Sequence, residues 1–465
     1  MITRSRRRWI GLALAAALLV GACSDDGEAG GDVAPAGGEA AEDGLLEVPG
    51  EFETIQAAVD AASSGDLVLI SPGTYTEAVS VAVDEIVIRG LDRDETILEG
   101  DFELESGIRV VGADGVAIEN ITAQNYNNNG FLWTGAPSFR GAYLTAVRNG
   151  DYGIYAFEST DGLWEQSFAS GSPDAGFYVG ACYPCNVVID DVVAEWNGLG
   201  YSGTNAGGDL YLVNSVWRDN RAGILPNVGT YEPCYPQREA TIVGNLVHDN
   251  NNGENDVIDF AQLALGNGIL LAGGFDNVVE RNRVSDHDIT GIATVPLPED
   301  NPRVVSEEDI GECESDRLPA GLLGVTEAEL PSPLLWPSQG NRIAGNVVEE
   351  SGLADLALAD LGLSPTPEGG NCFSDNTVTS TAPFDLQAKA PCQGEPAATG
   401  FEDGALDVGQ LIARDKPAPV PYQEAELPDH TGQPQMPDPD TAPAEPQVGP
   451  PSFPDLATIE VPPSP

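Results

Sequence analysis

The sequence predicts an all-β protein, a right-handed parallel β-helix with a short capping helix at its N-terminal end. The first observation is a repeat, in which a glycine followed by an apolar residue recurs every 23 or 24 residues. The second is a short run of alternating apolar and polar residues within most repeats, which is typical of a half-buried strand. The third is that helical spacing of apolar residues is absent there. The repeat glycines are Gly130, Gly153, Gly176, Gly200 and Gly223, then Gly268 and Gly291.

A coil with one repeat per winding explains this constant register. Equivalent strands of successive windings would stack in parallel about 4.8 Å apart and close a core that no single winding buries alone. A β-sandwich would instead show hairpin turn signals about every 8–12 residues. The crossover rule for parallel strands makes the coil right-handed. Amide ladders are predicted at the bends from Asn120, Asp191, Asn245, Asn282, Asn346 and Asn376.

The first 23 residues have the features of an export signal. Four arginines lie within residues 1–9, and Ile10–Val20 is an apolar run of 11 residues, too short to span a bilayer as a mature helix. Val20-Gly21-Ala22-Cys23 resembles a bacterial lipobox, which implies a lipid on Cys23 and anchoring to the cell membrane outside the cytoplasm. The alternative is an ordinary secretory signal with an incidental cysteine. Residues 24–44 predict a flexible acidic tether.

The composition excludes several function classes. The 465 residues contain 20 Lys and Arg against 74 Asp and Glu, a net charge of −54. Because such a surface repels nucleic acid, we do not expect a nucleic-acid partner. Three histidines and two methionines leave little material for a haem or a soft-metal site. No cofactor is firmly implied.

Six cysteines remain once Cys23 is assigned to the lipid. An even number in an oxidising compartment predicts three disulfides, whose pairing stays open except that Cys372 with Cys392 is the favoured local pair. Cys182-Tyr-Pro-Cys185 has the spacing of a redox motif but lacks a βαβ context, and zinc is disfavoured because no second such motif is present. The candidates are Cys182, Cys185, Cys234, Cys313, Cys372 and Cys392.

The coil is predicted to span residues 45–393 and to begin under a helical cap. Thr54–Ala62 is amphipathic, and a short helix there would block edge pairing by the first winding. The runs TIQAAVDAASSGDLVLISPGTY and IVIRGLDRDETILEGD resemble the N-terminal segment of the pectin-lyase-like superfamily of right-handed β-helix proteins. The resemblance covers roughly residues 50–390 and implies the fold. Its members include polysaccharide lyases, glycoside hydrolases, uronate epimerases, pectin esterases and a periplasmic copper-handling protein.

Two segments interrupt the repeat. Pro296–Gln339 is predicted to be a long loop that contains Cys313 and several prolines. Residues 394–465 form a proline-rich tail, for which a solvated stalk and an extended strap packed along the coil both stay open. Apolar residues near the end of the tail suit the strap: Phe453, Leu456, Ile459 and Val461.

Equivalent turns of three neighbouring windings are expected to gather the candidate site residues. Asp219 and Asp249 would lie in one column about 5 Å apart, with His287 following in the same column. Carboxylates at that separation shift each other's pKa, which suits acid–base or nucleophilic work on a glycosidic bond, and Arg221 completes the catalytic candidates. The candidates for ligand binding are Arg218, His248, Asp286 and Asp288, with Trp196 and Trp217 stacking on sugars. The alternative is a set of ordinary solvated turns.

The sequence lacks the motifs of two enzyme families in the superfamily. It has no Gly-His-Gly followed by Arg-Ile-Lys, as polygalacturonase-type hydrolases have, and no Asp-Pro-His, as alginate epimerases have. The acidic stretch Asn252–Asp259 is the candidate calcium loop, although it lacks EF-hand spacing.

We therefore expect a lipid-anchored cell-surface protein that recognises a polysaccharide or cell-wall glycan. If it is an enzyme, lyase, hydrolase or epimerase chemistry is expected. The alternative is a non-catalytic surface protein that binds a protein partner, and scarce Met and His disfavour a copper-accessory role. Because the chain is strongly acidic, a neutral or cationic glycan suits it as well as an anionic one.

Overall fold

The chain winds into a coil in which each full winding contributes one strand to each of three parallel sheets. This computed structural model describes residues 44–304, 313, 332–359, 370–397, 401, 404, 406 and 413–465. In the order in which a winding visits them, sheets 1, 2 and 3 have 12, 10 and 11 strands. The predicted all-β, right-handed parallel β-helix is confirmed. The export signal, the lipobox and nearly all of the tether lie outside the described residues.

The strands of each sheet follow one another at intervals of one winding. Sheet 1 comprises β1 (Leu45–Val48), β2 (Leu67–Ile70), β5 (Val87–Gly90), β8 (Val116–Glu119), β11 (Phe139–Ala142), β14 (Gly162–Glu165), β17 (Val187–Asp190), β20 (Gly207–Val213), β23 (Arg238–Val243), β26 (Val278–Glu280), β31 (Arg342–Ala344) and β34 (Cys372–Ser374). Sheet 2 comprises β3 (Gly73–Tyr75), β6 (Thr96–Glu99), β9 (Thr122–Gln124), β12 (Thr145–Val147), β15 (Phe168–Ser170), β18 (Val193–Glu195), β21 (Val216–Arg218), β24 (Leu246–His248), β27 (Arg283–Ser285) and β32 (Val347–Glu349).

Sheet 3 carries the repeat glycines at the second position of its longer strands. It comprises β4 (Val79–Val81), β7 (Ile108–Val111), β10 (Phe131–Thr134), β13 (Tyr152–Phe157), β16 (Ala175–Gly180), β19 (Leu199–Thr204), β22 (Ala222–Asn227), β25 (Asn267–Ala272), β28 (Thr290–Val295), β33 (Ala354–Leu358) and β35 (Thr381–Ala382). A separate antiparallel pair, β29 (Leu297–Glu299) with β30 (Leu334–Trp336), lies in the predicted long loop.

The glycine repeat marks equivalent corners of successive windings, as predicted. A Cβ on Gly153 would lie 2.7 Å from the carbonyl O of Gly176, and a Cβ on Gly200 would lie 2.6 Å from that of Gly223. Any side chain at these positions would push neighbouring windings apart, because the collision is with backbone. The constant spacing in the sequence is therefore set by contact between windings.

Asparagine ladders close the bend between sheets 1 and 2. The Oδ1 of Asn282 accepts hydrogen bonds from the backbone N (2.9 Å) and Nδ2 (3.0 Å) of Asn245. Asn346 and then Asn376 repeat the pattern on the next windings. The predicted ladder is confirmed for these four residues. Asn120 and Asp191 are in a neighbouring column of residues with positive φ, +57° and +51°.

Short helices lie at both ends of the coil. Helix α1 (Ile55–Ala61) confirms the predicted cap, since the Oγ1 of Thr54 accepts a hydrogen bond from the N of Ala57 and Ile55 is fully buried. At the other end, α3 (Leu386–Lys389) buries Leu386. Helix α2 (Asp259–Gln262) belongs to an insert before β25, and a 3-10 helix, Leu456–Thr458, lies near the C-terminus. Within the described residues, no helix is long and apolar enough to cross a bilayer.

Three disulfides link the six cysteines. Cys372 pairs with Cys392, as favoured from the sequence. The pairings that the sequence left open are Cys182 with Cys185 and Cys234 with Cys313. Cys182 and Cys185 are both buried in the turn between sheets 3 and 1, so the disulfide of this motif cross-links a turn.

The C-terminal tail is a strap packed along the coil. We use the name strap for residues 416–465. Arginine side chains of the coil donate hydrogen bonds to its backbone carbonyl groups, for example Arg148 to Ala425 (2.7 Å) and Arg89 to Ala442 (2.7 Å). Near the end, Ile459 packs with Val213 and Val243 of sheet 1. The strap alternative is therefore confirmed over the stalk.

Candidate functional site

The predicted aspartates occupy one turn position on successive windings. Arg218, His248 and Ser285 are register partners at the ends of β21, β24 and β27, so Asp219, Asp249 and Asp286 follow them in one column. All three have positive φ, between +52° and +58°, which aspartate tolerates better than most residues. Trp196, partly exposed with φ +59°, holds the same position one winding earlier.

His287 does not follow Asp249 in this column, so that expectation is wrong. The turn after β27 (residues 286–289) is one residue longer than the turn after β21 (residues 219–221), which displaces His287 by one position. His287 instead continues a ladder of Asn220 and Asn250, with its Nε2 3.1 Å from the Nδ2 of Asn250. It is 1% exposed, and burial lowers its pKa to about 3. His287 therefore satisfies buried amides and cannot meet a ligand.

Arg221 and Trp217 are also inside the protein, which corrects their predicted roles. Arg221 is fully buried and donates hydrogen bonds to the carbonyl groups of Gly253, Asn255 and Pro417. Trp217 is fully buried in the core, where its Nε1 donates to the Oδ1 of Asn245 (3.1 Å). Neither side chain is available to a sugar.

The remaining predicted residues form an ion-paired row at the surface between sheets 2 and 3. His248 Nδ1 lies 2.7 Å from Asp249 Oδ2, and Arg218 Nη2 lies 2.7 Å from Glu195 Oε2. Burial, and then the charge of Asp249, raise the pKa of Asp219. Asp286 hydrogen-bonds the carboxyl of Glu350 on the next winding and raises its pKa. The backbone N of exposed Asp288 donates a hydrogen bond to Oδ1 of Asn251. Arg218 and Asp249 therefore have partners within the row, whereas Asp219 with Asp249 and Asp286 with Glu350 bring acidic groups together.

The structure gives no support to calcium in the stretch Asn252–Asp259. Asp256 Oδ2 accepts a hydrogen bond from the N of Tyr422 in the strap (2.9 Å), and Asn252 Oδ1 accepts one from the N of Glu254. Nowhere in the described part of the chain do three His, Cys, Asp or Glu side chains come close enough to hold a metal ion.

A second group of side chains lies at the outer face of sheet 3, and the sequence did not predict this grouping, although Tyr231 is a candidate for stacking on sugars. Tyr155 of β13 and Tyr178 of β16 are register partners whose rings stack, with centroids 4.9 Å apart and planes 14° apart. The ring of Tyr152 lies 4.7 Å from each of them. Three aromatic rings thus form one continuous patch beside Phe157.

Two carboxyl groups meet this aromatic patch. The hydroxyl of Tyr152 donates to Asp174 Oδ2 at 2.7 Å, and the hydroxyl of Tyr178 lies 2.6 Å from both oxygens of Glu232. Tyr231, beside Glu232, is 44% exposed. We call the six residues the tyrosine–carboxylate cluster: Tyr152, Tyr155, Tyr178, Tyr231, Asp174 and Glu232.

Burial moves both carboxyl groups into the neutral pH range. It raises the pKa of Asp174 from 3.8 to about 7, with Asp151 adding to the effect and the Tyr152 hydrogen bond opposing it. It raises the pKa of Glu232 from 4.5 to about 8, with Asp174 and Glu158 adding to the effect and the Tyr178 hydrogen bond opposing it. Carboxyl groups of this kind can both give and take a proton at neutral pH.

Two insertions approach the cluster from opposite edges of sheet 3. Residues 228–237, which follow β22, carry Glu232, and the Nδ2 of Asn205 donates to the carbonyl groups of Gly229 and Glu232 to hold them. Residues 249–266, which precede β25, reach the other edge, where the N of Ile258 donates to the carbonyl O of Pro173 (3.4 Å), next to Asp174. The cluster therefore lies between two walls.

Two residues of the tyrosine–carboxylate cluster could be located from the repeat in the sequence. Tyr155 and Tyr178 are each two residues after a repeat glycine, and that position faces outward on sheet 3. Glu232 had no such signal, because it comes from an insertion whose path over the sheet does not follow the repeat.

Comparisons with known proteins agree with the fold. Residues 106–296 match the family described as the right-handed beta helix region. No curated protein matches the chain. Among solved structures, the mannuronan C-5 epimerase A-module of Azotobacter vinelandii is 16% identical with a TM-score of 0.46, covering 70% of this chain and 91% of that one. An alginate lyase from Paenibacillus sp. str. FPU-7 is 13% identical with a TM-score of 0.37, covering 68% and 97%. Likeness at this level carries no inference about the site.

Proposed function

We propose that this β-helix protein recognises a glycan on the outer face of sheet 3, and that Asp174 and Glu232 exchange protons with it. The observation that carries the proposal is the tyrosine–carboxylate cluster. It joins stacked aromatic rings to two carboxyl groups whose pKa values, about 7 and about 8, lie near neutrality. Aromatic surfaces pack against the apolar faces of sugar rings, and proton exchange is most effective when the pKa is near the working pH.

Each member of the cluster has a distinct task in this proposal. Burial raises the pKa values of Tyr152 and Tyr178 well above 10.0, so their hydroxyls stay protonated and orient the carboxyl groups as hydrogen-bond donors. Tyr155 and Tyr231 supply the accessible ring surface. Because Leu132 and Tyr155 are partly exposed register partners on successive windings, a polymer lying along the coil would meet both, whereas the buried ring of Tyr178 supports Tyr155 from beside it.

The proposal places the protein outside the cytoplasm, anchored by a lipid on Cys23. Support comes from the arginine-rich start, the short apolar run and the lipobox-like Val20-Gly21-Ala22-Cys23. Residues 24–44 would then hold the coil away from the membrane. Such a position suits a protein that meets glycans of the cell surface.

The test is a panel of purified polysaccharides, with binding and product formation both measured. Binding to at least one member is expected to fall about tenfold or more in Asp174→Asn and Glu232→Gln, because each change removes a proton-exchanging group. The exposed Glu53→Gln, just before the N-terminal capping helix, is the matched control.

The same panel separates this site from the one predicted from the sequence. Loss of binding in Asp219→Asn with none in Glu232→Gln would place the site on the ion-paired row. Absence of binding to every polysaccharide would reject glycan recognition. Binding without product, lost in Glu232→Gln, would keep recognition and reject proton exchange in a reaction.

A further inference from the structure

We propose that the glycan bound at the tyrosine–carboxylate cluster carries positively charged amino groups, which makes an amino-sugar polymer the substrate class. This inference rests on the proposed function and names its ligand. It follows from the sign of the charges around the cluster and from the chemistry of its rings.

Within the described part of the chain, the charged side chains that shift the pKa values of the cluster are acidic. Asp151, Glu158 and Glu299 act on its tyrosines and carboxyl groups, in addition to Asp174 and Glu232 themselves. The nearby Arg303 places Nη1 3.5 Å from the backbone carbonyl O of Tyr231. A uronate carboxylate would enter this field against repulsion, whereas an ammonium group would enter it with attraction.

The aromatic rings favour the same charge. A cation near the face of a tyrosine ring is attracted by the electron density of the ring, and the attraction grows when water is excluded. Tyr155 and Tyr178 stack, and Tyr231 exposes 44% of its surface beside Glu232. Aromatic rings and carboxyl groups both attract ammonium groups, and the face of sheet 3 between the two insertions carries both.

The two carboxyl groups also explain why an ammonium group would bind more tightly than a neutral sugar. Their raised pKa values show that ionisation is costly in the free protein, because burial removes water from the charged form. A cation beside them compensates that cost and lowers their pKa, so binding releases protons. Affinity for a permanent cation should therefore rise as the pH increases through 7 and 8. The titratable groups that face the two carboxyls are Asp151, Tyr152, Tyr155, Glu158, Tyr178 and Tyr231, with Glu299 and Arg303 behind them.

The experiment uses matched hexasaccharides that differ only in charge. The ligands are N,N,N-trimethylated glucosamine hexamer, whose charge does not depend on pH, N-acetylglucosamine hexamer and galacturonate hexamer. Affinity is measured by calorimetry at about pH 6, 7 and 9, each in two buffers with different ionisation enthalpies, so that proton release is counted. We expect the trimethylated ligand to bind at least tenfold more tightly than the acetylated one, with release of protons near pH 7. Asp174→Asn and Glu232→Gln should each remove most of this preference, and Glu53→Gln should retain it.

The outcomes distinguish this inference from the proposed function. Binding of the acetylated or galacturonate hexamer as tightly as the cationic one, with loss in Glu232→Gln, would overturn the inference and leave glycan recognition standing. Cationic preference that persists in both cluster variants would also overturn it, because the net charge of the chain would then explain the binding. If no hexamer or polysaccharide binds, both the inference and the proposed function fail.

Discussion

Replacing Asp174 by asparagine should stabilise the protein above neutral pH, and it should have little effect in acid. An aspartate in the unfolded chain ionises near its ordinary pKa of 3.8, whereas in the folded protein the pKa is about 7. Below about pH 3 the carboxyl is almost fully protonated in both states and contributes almost no difference. As the pH rises towards 7, the unfolded state loses its proton first, so the free energy of unfolding of the wild type falls. Asparagine cannot ionise and removes this loss.

The expected magnitude follows from the size of the pKa change. The rise from 3.8 to about 7 corresponds to about 4 kcal/mol at the limit of complete burial, at 1.36 kcal/mol for each pKa unit. Asp174 is partly exposed, so water moderates the cost, and we expect about 1–2 kcal/mol. The amide oxygen of asparagine can still accept the hydrogen bond from Tyr152, so the variant tests the loss of ionisation and not the loss of this hydrogen bond.

The assay is urea unfolding of wild type and Asp174→Asn at about pH 3 and pH 9 with the disulfides intact. The difference in free energy of unfolding should be close to zero at about pH 3 and about 1–2 kcal/mol in favour of the variant at about pH 9. Asp440→Asn, a change at an exposed carboxyl of the strap, is the control and should show no such dependence. A variant that is no more stable than the wild type at pH 9 would refute the account of a costly buried carboxyl, and with it the main support for proton exchange.

Two further predictions concern the ladder and the anchor. Asn282→Leu should cost about 3–5 kcal/mol and lower Tm, because it removes the hydrogen bonds that Asn282 makes with the buried N and Nδ2 of Asn245 and with the carbonyl O of Ile242. A loss under about 1 kcal/mol would contradict the ladder's contribution. Cys23→Ser should move the protein expressed in a bacterial host from the detergent-extracted membrane fraction to the soluble extracytoplasmic fraction, as shown by immunoblotting. Unchanged membrane retention would argue against a lipid on Cys23.

The fold could be predicted because its repeat is imposed by backbone contact. On the windings from Gly130 to Gly291 the corner glycines must lack a side chain, so their spacing is constant where other residues vary. The column of Asp219 and Asp249 could be located by the same counting. His287 was misplaced because one turn is a residue longer, and counting back from Gly291 cannot detect where the extra residue lies.

Burial at the candidate site was harder to predict than register. Trp217 looks like a sugar-stacking residue in the sequence, but its position alternates inward and its ring packs against Phe177 and Tyr201 in the core. Glu232 reaches the site on an insertion held by Asn205 and by hydrogen bonds from Thr230 to Glu299. These contacts join residues far apart in the chain, and a repeat pattern contains no information about them.

The route of the strap supports sheet 3 as the functional face. Six arginines donate hydrogen bonds to strap carbonyl groups: Arg89, Arg93, Arg148, Arg221, Arg281 and Arg283. These anchoring contacts fall on sheets 1 and 2 and on the turns that flank sheet 2. Each of these arginines therefore directs part of its hydrogen-bonding capacity to uncharged backbone, and none of these six contacts lies on sheet 3. The strap thus binds along sheets 1 and 2, while sheet 3 presents aromatic rings and acidic groups. This arrangement is expected if sheet 3 binds a cationic ligand.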